Sequence, residues 1–246
     1  MKSTVMLFIV LLLNTAHMTA KEVTIGMEDF GPYYLPETQS GIIPDIVNAV
    51  FRHMPNDEPK FIFGHSNKRL LSNFRTGKVD GATNINAFTQ FTGCRTTPLF
   101  KYQNVAITKT DKQLTLKKIS DLADKSIVSF QGAKSVFGQE FIDTIDADKY
   151  FEVTALIQQT AMLYRGRVDV SLGDKLIFLH NLTKFKQLNA KPSDFKFHYL
   201  FPVHFTSMGF HDQQLCDRFD QAFKVIQQNG EYDKIYEYYS GTIMAK

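Results

Sequence analysis

One pattern of hydrophobic and polar residues occurs twice along the chain. The sequence Arg-Thr-Gly-Lys-Val-Asp at 75–80 corresponds to Tyr-Arg-Gly-Arg-Val-Asp at 164–169. In each copy, apolar residues at helical spacing precede the glycine, and an apolar segment typical of a buried strand follows it, over 79–83 and 168–172. The glycine is expected to end the helix, because glycine adopts positive φ without strain. The two copies therefore predict two similar lobes with a cleft between them.

Strand and helix patterns alternate on both sides of this repeat. Strands are predicted at 23–26, 60–63, 79–83, 126–130, 151–153 and 168–172. One helix is predicted to begin at Gly41 and Pro44, one at Ser66 and one after Asp174. Another helix is predicted over 214–228. An extended segment is also predicted over 197–203.

Alternation of this kind predicts an α/β protein in which each lobe has a mainly parallel sheet flanked by helices. Two further extended segments, 104–108 and 205–210, are expected to carry the chain out of the first lobe and back into it. The predicted first lobe therefore comprises 21–105 with 206–246, and the predicted second lobe comprises 106–205.

The N-terminal segment 1–20 has the pattern of a cleavable secretory signal peptide. Lys2 precedes an apolar run over 5–13, and a more polar stretch ends at Ala20, with Ala16 as an alternative cleavage position. The apolar run is too short to anchor the chain in a bilayer. No cysteine follows it, which argues against a lipid anchor. We therefore predict a periplasmic protein that is not inserted in the membrane.

Charge and motif content exclude several classes of function. The chain has 28 Lys and Arg against 25 Asp and Glu, for a formal net charge of +3, and its basic residues are dispersed. Dispersed charge argues against a nucleic-acid partner. The sequence has no Gly-x-Ser-x-Gly, His-Glu-x-x-His or Walker motif. His204 and His211, near the return crossing, are interpreted as structural, and no metal or cofactor is predicted.

The chain contains two cysteines, Cys94 and Cys216, and both fall in the predicted first lobe. In an oxidising compartment they are able to form a disulfide. The alternative is a pair of buried free thiols. Geometry decides between the two, and the sequence leaves both open.

Further short motifs follow one another in a characteristic order. They are Gly-Ile-Ile-Pro-Asp-Ile at 41–46, Asp-Leu at 121–122, Lys-Ser-Ile-Val at 125–128, Gln-Gly at 131–132 and Asn-Gly-Glu-Tyr-Asp-Lys-Ile at 229–235. Together with both copies of the repeated step, they make the chain resemble the bacterial extracellular solute-binding proteins of family 3. The resemblance covers essentially the whole chain after the signal peptide.

Membership of this family would imply the type II periplasmic-binding-protein fold, in which two lobes close around a ligand. It would also imply delivery of a small-molecule ligand to a membrane ABC permease. The amino-acid binders of the family take up polar amino acids. The resemblance therefore predicts a monomeric protein that binds its ligand and does not transform it.

The resemblance also nominates residues for the cleft. Asp174 lies five residues after Asp169, where the amino-acid binders place the carboxylate that holds the ligand ammonium. A helix-capping role is the alternative for Asp174, and the two roles are compatible. Phe30 precedes Gly31-Pro32, where the family has an aromatic residue that covers the ligand side chain, and core packing is its alternative.

Asn84, four residues after Asp80, matches a small polar contact of the family. Lys134 stands where the amino-acid binders have a threonine at a helix start near the ligand carboxylate. The backbone amides of Lys134 and Ser135 are candidate donors to such a group. A solvent-exposed lysine is the alternative.

The chain departs from the family at the arginine that binds the ligand carboxylate. The expected position is occupied by Thr92, and the nearest arginine is Arg95, which is expected to reach the cleft only through a shifted loop. The predicted ligand is therefore a small polar solute: an amino acid, a related amine or an organic acid.

Two other functions on the same fold remain open at this point. One is a prephenate-type dehydratase, with Asp174, Glu28 or Asp29 as the acid. The other is a ligand-sensing module that acts on a separate membrane receptor.

Overall fold

The computed structural model describes residues 20–87 and 89–244, so the predicted signal peptide, apart from Ala20, lies outside the described residues. The strands, in chain order, are β1 (Lys21–Gly26), β2 (Asp57–Ile62), β3 (Gly81–Ile85), β4 (Cys94–Arg95), β5 (Phe100–Tyr102), β6 (Asn104–Lys109), β7 (Ile127–Phe130), β8 (Tyr150–Val153), β9 (Val170–Asp174), β10 (Phe195–His198) and β11 (His204–Phe210). The helices are α1 (Ile42–Phe51), α2 (Asn67–Arg75), α3 (Ala133–Phe137), α4 (Gln139–Thr144), α5 (Leu156–Tyr164), α6 (Lys175–Leu182), α7 (Gln213–Gln228) and α8 (Glu231–Met244). In the described ranges, no helix has the length and apolar character needed to cross a membrane.

The first sheet has the strand order β2–β1–β3–β11–β4, and β5 also pairs with β11. Strands β1, β2 and β3 are parallel, whereas β11 is antiparallel to β3, β4 and β5. Its main core contains fully buried Ile25 and Ile46 together with Phe210, Phe219 and Phe223. Residues from both ends of the chain therefore share one core.

The second sheet has the order β10–β6–β9–β7–β8. Strands β7, β8 and β9 are parallel, and β6 is antiparallel to β9 and β10. Buried Val105 and Ile107 belong to one hydrophobic cluster, and Ala106 between them belongs to another. Because side chains alternate along a strand, the two clusters lie on opposite faces of the sheet. Helices cover both faces, as the sequence predicts.

The antiparallel pairs follow from the way the chain crosses between the sheets. Asn104 of β6 pairs with Asp174, the last residue of β9, and Ser207 of β11 pairs with Ile85, the last residue of β3. Each crossing strand therefore enters its new sheet near the carboxyl edge and runs against the parallel strands. Strands β6 and β11 begin at 104 and 204, two residues before the lobe limits predicted at 106 and 206.

The two glycines of the repeated step adopt the predicted conformation. Gly77 follows α2 with φ of 69°, and Gly166 follows α5 with φ of 65°. The strands after them, β3 and β9, begin two residues later than predicted. The reason is that the valine and aspartate of each step still belong to the turn.

The aspartates of the repeat make the same connection in both lobes. The Thr24 backbone amide donates to Asp80 Oδ2 at 2.8 Å, and the Ser126 amide donates to Asp169 Oδ2 at 3.0 Å. The hydroxyl groups of Thr24 and Ser126 donate to the same two oxygens. Each aspartate thereby fixes its strand beside the neighbouring parallel strand.

Cys94 and Cys216 form a disulfide, with 6.4 Å between their Cα atoms. The bond joins β4 to α7 within the first lobe. Of the two alternatives left open by the sequence, the structure therefore contains the disulfide and not a pair of free thiols.

The extended segment predicted over 197–203 is a strand only as far as His198. Pro202 has no backbone N–H and cannot donate to a neighbouring strand. Residues after His198 form the return crossing, and regular pairing resumes at His204.

Candidate functional site

The carboxyl edges of the two sheets face each other. Tyr102, the last residue of β5, pairs with His204 at the start of β11, and Asn104 pairs with Asp174 at the end of β9. Gln103 is the single residue between Tyr102 and Asn104. The link is too short to separate the two edges, so side chains at the strand ends of both lobes surround one cleft.

Glu28 and Asn84 lie side by side at the edge of the first sheet. Glu28 follows β1, Asn84 lies in β3, and Asn84 Nδ2 donates to Glu28 Oε2 at 2.6 Å. Asn84 has a positive φ of 60°, and the pairing of β3 with β11 shifts register between Ser207 and Gly209. This is a β-bulge, a feature that changes the direction of a side chain and often occurs beside functional sites.

Burial controls the protonation of Glu28, which is 5% exposed. Loss of solvation raises the pKa of this carboxyl to about 7, and hydrogen bonds from Asn84, Asn67 and Tyr34 oppose the rise. The carboxyl group is therefore close to half-protonated at neutral pH.

The Glu28→Gln variant is expected to change how stability depends on pH. Between pH 4.5 and 7 the folded chain holds more protons at Glu28 than the unfolded chain, so the free energy of unfolding falls as pH rises. The difference between the two pKa values corresponds to about 3 kcal/mol. The free energy of unfolding of the variant, relative to that of the wild type, should therefore rise by this amount between pH 4.5 and pH 8. Urea denaturation across this range measures the effect.

Glu22→Gln is the control for this experiment, because Glu22 lies in β1, the strand before Glu28, and has an exposed carboxylate bonded to Lys60. Its stability profile should run parallel to that of the wild type. Parallel profiles for Glu28→Gln and wild type would contradict the pKa assignment.

Phe30 follows Glu28 by two residues in the loop after β1. Its half-buried ring packs edge-to-face on Tyr34 with 4.9 Å between ring centres, and it also contacts Tyr33. The ring thus packs against the first-lobe core, which was the alternative to ligand contact. Its contact with a ligand stays a prediction.

The Asp174 carboxylate receives four hydrogen bonds from the chain. Oδ1 accepts from the amides of Leu176 at 2.9 Å and Ile177 at 3.0 Å, which caps α6. Oδ2 accepts from the Gln103 amide at 2.8 Å and from the Tyr33 hydroxyl at 3.1 Å. Burial raises the pKa of Asp174 to about 6, against the effect of these bonds. A carboxylate has about four acceptor positions, so the chain itself uses all of them.

The capping role foreseen for Asp174 is therefore present, and its role as ligand anchor stays a prediction. Its bond to Tyr33 also connects the second lobe to the first.

Nearby, a Cβ atom at Gly31 would overlap the imidazole of His180 in α6. A cavity of about 280 Å³ next to Gln103 is lined by residues of both lobes, Tyr33 and Asp174 among them.

Lys134 and Ser135 lie at the head of α3, after β7. The amides of Gly132 and Lys134 donate to the carboxylate of Glu152, at 2.8 Å and 3.4 Å. Lys134 Nζ lies 5.1 Å from the centre of the Tyr150 ring, and Ser135 is exposed. Glu152 thus occupies backbone donors at the turn where the resemblance places a ligand carboxylate. The ligand roles of Lys134 and Ser135 stay predictions.

Arg95 binds its own neighbourhood. Its guanidinium donates to the carbonyl oxygens of Ala87, at 2.9 Å, and Thr89, and lies 5.0 Å from the centre of the Phe91 ring. These contacts hold the loop before β4. A carboxylate-binding role for Arg95 would require this side chain to leave them.

Sequence reasoning did not find three side chains of the cleft in the positions they occupy. The sequence names Glu28 only as an enzymatic acid. Glu28 follows β1, and Asn84 lies near the end of the neighbouring parallel strand β3, so their positions along the sequence could have predicted that both lie at the cleft. Tyr33 was not chosen as a site residue, and its hydrogen bond to Asp174 has no local sequence signature. Glu152 has none either, because its partners lie in another turn.

The arrangement of two α/β lobes around one cleft defines a binding protein of the type II periplasmic fold. The chain belongs to the bacterial extracellular solute-binding proteins, family 3, whose family model matches residues 23–242. This membership confirms the resemblance and the class of binding protein in preference to enzyme. Curated proteins give no significant match.

Solved structures with the same fold include a ligand-binding core, a sensor domain and an ABC transporter substrate-binding protein. The GluR0 ligand-binding core in complex with L-glutamate has a TM-score of 0.74 at 11% identity, over 90% of this chain and 99% of that chain. A histidine kinase sensor domain similar to periplasmic binding proteins has 0.71 at 13%, over 89% and 96%. AbpA of Streptococcus pneumoniae, an amino-acid ABC transporter substrate-binding protein bound to L-arginine, has 0.69 at 16%, over 92% and 97%. At these identities the similarity shows the fold.

Proposed function

We propose that this chain, exported by its signal peptide, binds a small polar solute between its lobes in the periplasm and delivers it to a membrane ABC permease. The observation that carries the proposal is the one-residue link at Gln103, which brings the two carboxyl edges together. Strand ends and the turns after them are where open α/β sheets bind ligands. Glu28 and Asn84 stand on one side of this cleft, and Asp174 and Lys134 on the other.

Lobe closure is the proposed mechanism. The chain crosses between the sheets at Gln103 and again over 199–203, and these crossings are the natural hinge. A solute that touches both edges stabilises the closed arrangement by its difference in affinity for the closed and open forms. The closed form then presents both lobes to the permease in a fixed relation.

Family membership and the arginine-bound relative support an amino acid or related amine as the solute. A second candidate function is solute sensing for a separate membrane receptor. A histidine kinase sensor domain has the same fold, so the fold is compatible with sensing as well as with import. Loss of solute uptake on deletion of the gene would support import, whereas unchanged uptake with loss of a transcriptional response would support sensing.

Thermal unfolding of chain 21–246 tests the proposal. A solute at one hundred times its dissociation constant should add about 2.7 kcal/mol to the free energy of unfolding and raise the midpoint temperature. The panel should hold amino acids, polyamines, small organic acids and dipeptides. A panel that leaves the midpoint unchanged throughout would contradict the proposed function.

A further inference from the structure

We propose that the cavity beside Gln103 is a second binding site, separate from the cleft, for a small carboxylic acid with an apolar body. The cavity has a volume of about 280 Å³. This volume is slightly below the range of about 300–1,000 Å³ that is typical of small-molecule sites, so the ligand must be small. The inference goes beyond the proposed function, because it concerns a different ligand at a different place.

The first argument is position. The cavity lies where the chain crosses between the lobes, since Gln103 belongs to one crossing and Tyr199 and Val203 belong to the other. Tyr236 of α8 and Leu176 of α6 complete this part of its wall. Both lobes therefore contribute to one enclosed space at the hinge.

The cavity shares little with the predicted solute cleft. Asp174 lines it, whereas Phe30, Asn84 and Lys134 are not part of its described lining. The Asp174 carboxylate already accepts four hydrogen bonds from the chain, which use all of its acceptor positions. Other side chains must therefore hold a molecule in this cavity.

The second argument is charge. Lys101 and Lys175 line the cavity, and both residues are half-buried. In the described part of the chain, neither lysine forms a salt bridge. Two ammonium groups beside the single carboxylate of Asp174 leave an excess of positive charge. An excess of positive charge in a pocket attracts an anion.

The contacts of the two lysines leave donors for that anion. Lys101 Nζ lies 4.7 Å from the centre of the Tyr236 ring, a contact that holds the ammonium group without neutralising it. Lys175 Nζ donates to the Tyr199 hydroxyl at 2.8 Å. An ammonium group has three N–H donors, so Lys175 has donors left for a carboxylate. Lys101 is in β5 of the first lobe and Lys175 is in α6 of the second, so the site draws its charge from both lobes.

The third argument is the apolar part of the lining. Tyr33 uses its hydroxyl group on the Lys101 carbonyl oxygen and the Asp174 carboxylate, both at 3.1 Å. The Tyr236 hydroxyl accepts from the Lys101 amide at 2.7 Å. What these two tyrosines offer to the cavity is therefore chiefly ring surface, and Val203 adds an aliphatic side chain. An anion gains from such walls only if it also buries an apolar body against them.

Thermal unfolding of chain 21–246 at pH 7 tests the inference. The probes are benzoate, phenylacetate and isovalerate. Benzyl alcohol and benzylamine are the neutral and cationic counterparts of benzoate, and phosphate is an anion without an apolar body. Sodium chloride keeps the ionic strength equal in all samples. We expect at least one carboxylate to raise the midpoint temperature in a saturable way, and the three comparison compounds to bind at least about tenfold more weakly.

Two variants locate the bound carboxylate. Lys101→Met and Lys175→Met keep most of the apolar stem and remove the charge, so each should weaken binding by about tenfold or more. Lys196→Met is the matched control, because Lys196 is an exposed lysine of β10 outside the cavity lining. It should keep an affinity within about threefold of wild type. The two lysines lie in different lobes, so one variant remains informative if the other does not fold.

Three results would overturn the inference. One is that none of the three carboxylates raises the midpoint temperature above that in sodium chloride. Another is that benzyl alcohol, benzylamine or phosphate binds as tightly as the best carboxylate. The third is that Lys101→Met and Lys175→Met bind the carboxylate as tightly as Lys196→Met, which would place it elsewhere on the chain. The proposed function is independent of all three, because it depends on the response to the amino acids and amines of the other panel.

Discussion

Replacement of both Cys94 and Cys216 by alanine is expected to lower the free energy of unfolding by about 3–5 kcal/mol. The disulfide joins residues 122 positions apart, so it removes many conformations from the unfolded chain. It also fixes β4, a strand of two residues, to α7. Urea denaturation of the variant and the wild type under oxidising conditions measures the loss.

The reduced wild type provides the control. A reductant should destabilise the wild type by a similar amount and should leave the double variant unchanged. If the oxidised wild type and the double variant unfold at the same urea concentration, the disulfide has no stabilising role.

Asp174→Ala is expected to lower the free energy of unfolding by about 2–4 kcal/mol. The substitution removes the cap of α6, which typically contributes about 1 kcal/mol. It also leaves the partly buried amide of Gln103 without its acceptor, at a cost of about 1–3 kcal/mol. Urea denaturation of the variant measures the sum.

Asp212→Ala is the matched control, because Asp212 caps α7 by accepting one hydrogen bond from the Gln214 amide. The loss at Asp174 should exceed the loss at Asp212 by at least about 1 kcal/mol. Equal losses would show that Asp174 acts as a cap alone. If Asp174→Ala binds the solute as tightly as wild type, Asp174 is not a ligand anchor.

The features that the sequence predicts well are those encoded by neighbouring residues. The glycine of each repeated step needs positive φ, and the aspartate three positions later bonds to the start of an adjacent strand. Ser66 and Asp174 are helix caps whose partners lie within three residues. Each of these local features is set by short-range geometry, so it is visible in the sequence. Their order along the chain carries the resemblance to the family.

The features that sequence reasoning missed depend on distant parts of the chain. Tyr33 and Asp174 are 141 positions apart, and their bond exists because the lobes are joined through Gln103. Glu152 reaches the amide of Gly132 from a different strand. Arg95 satisfies its donors on backbone carbonyl groups, which any residue type supplies. None of these pairings has a sequence signature, because neither partner stands in a local sequence pattern that would predict the contact.

The repeated aspartates have a consequence for how this protein can diversify. Asp80 and Asp169 bond to Thr24 and Ser126 near the amino-terminal ends of β3 and β9, whereas Asn84 and Asp174 lie at or near the opposite ends. Strand registration and solute chemistry are thus separated by the length of a strand. Substitutions that change ligand recognition can therefore accumulate at the carboxyl edges of the sheets. The unchanged hydrogen bonds of Asp80 and Asp169 at the opposite edges meanwhile keep each sheet assembled.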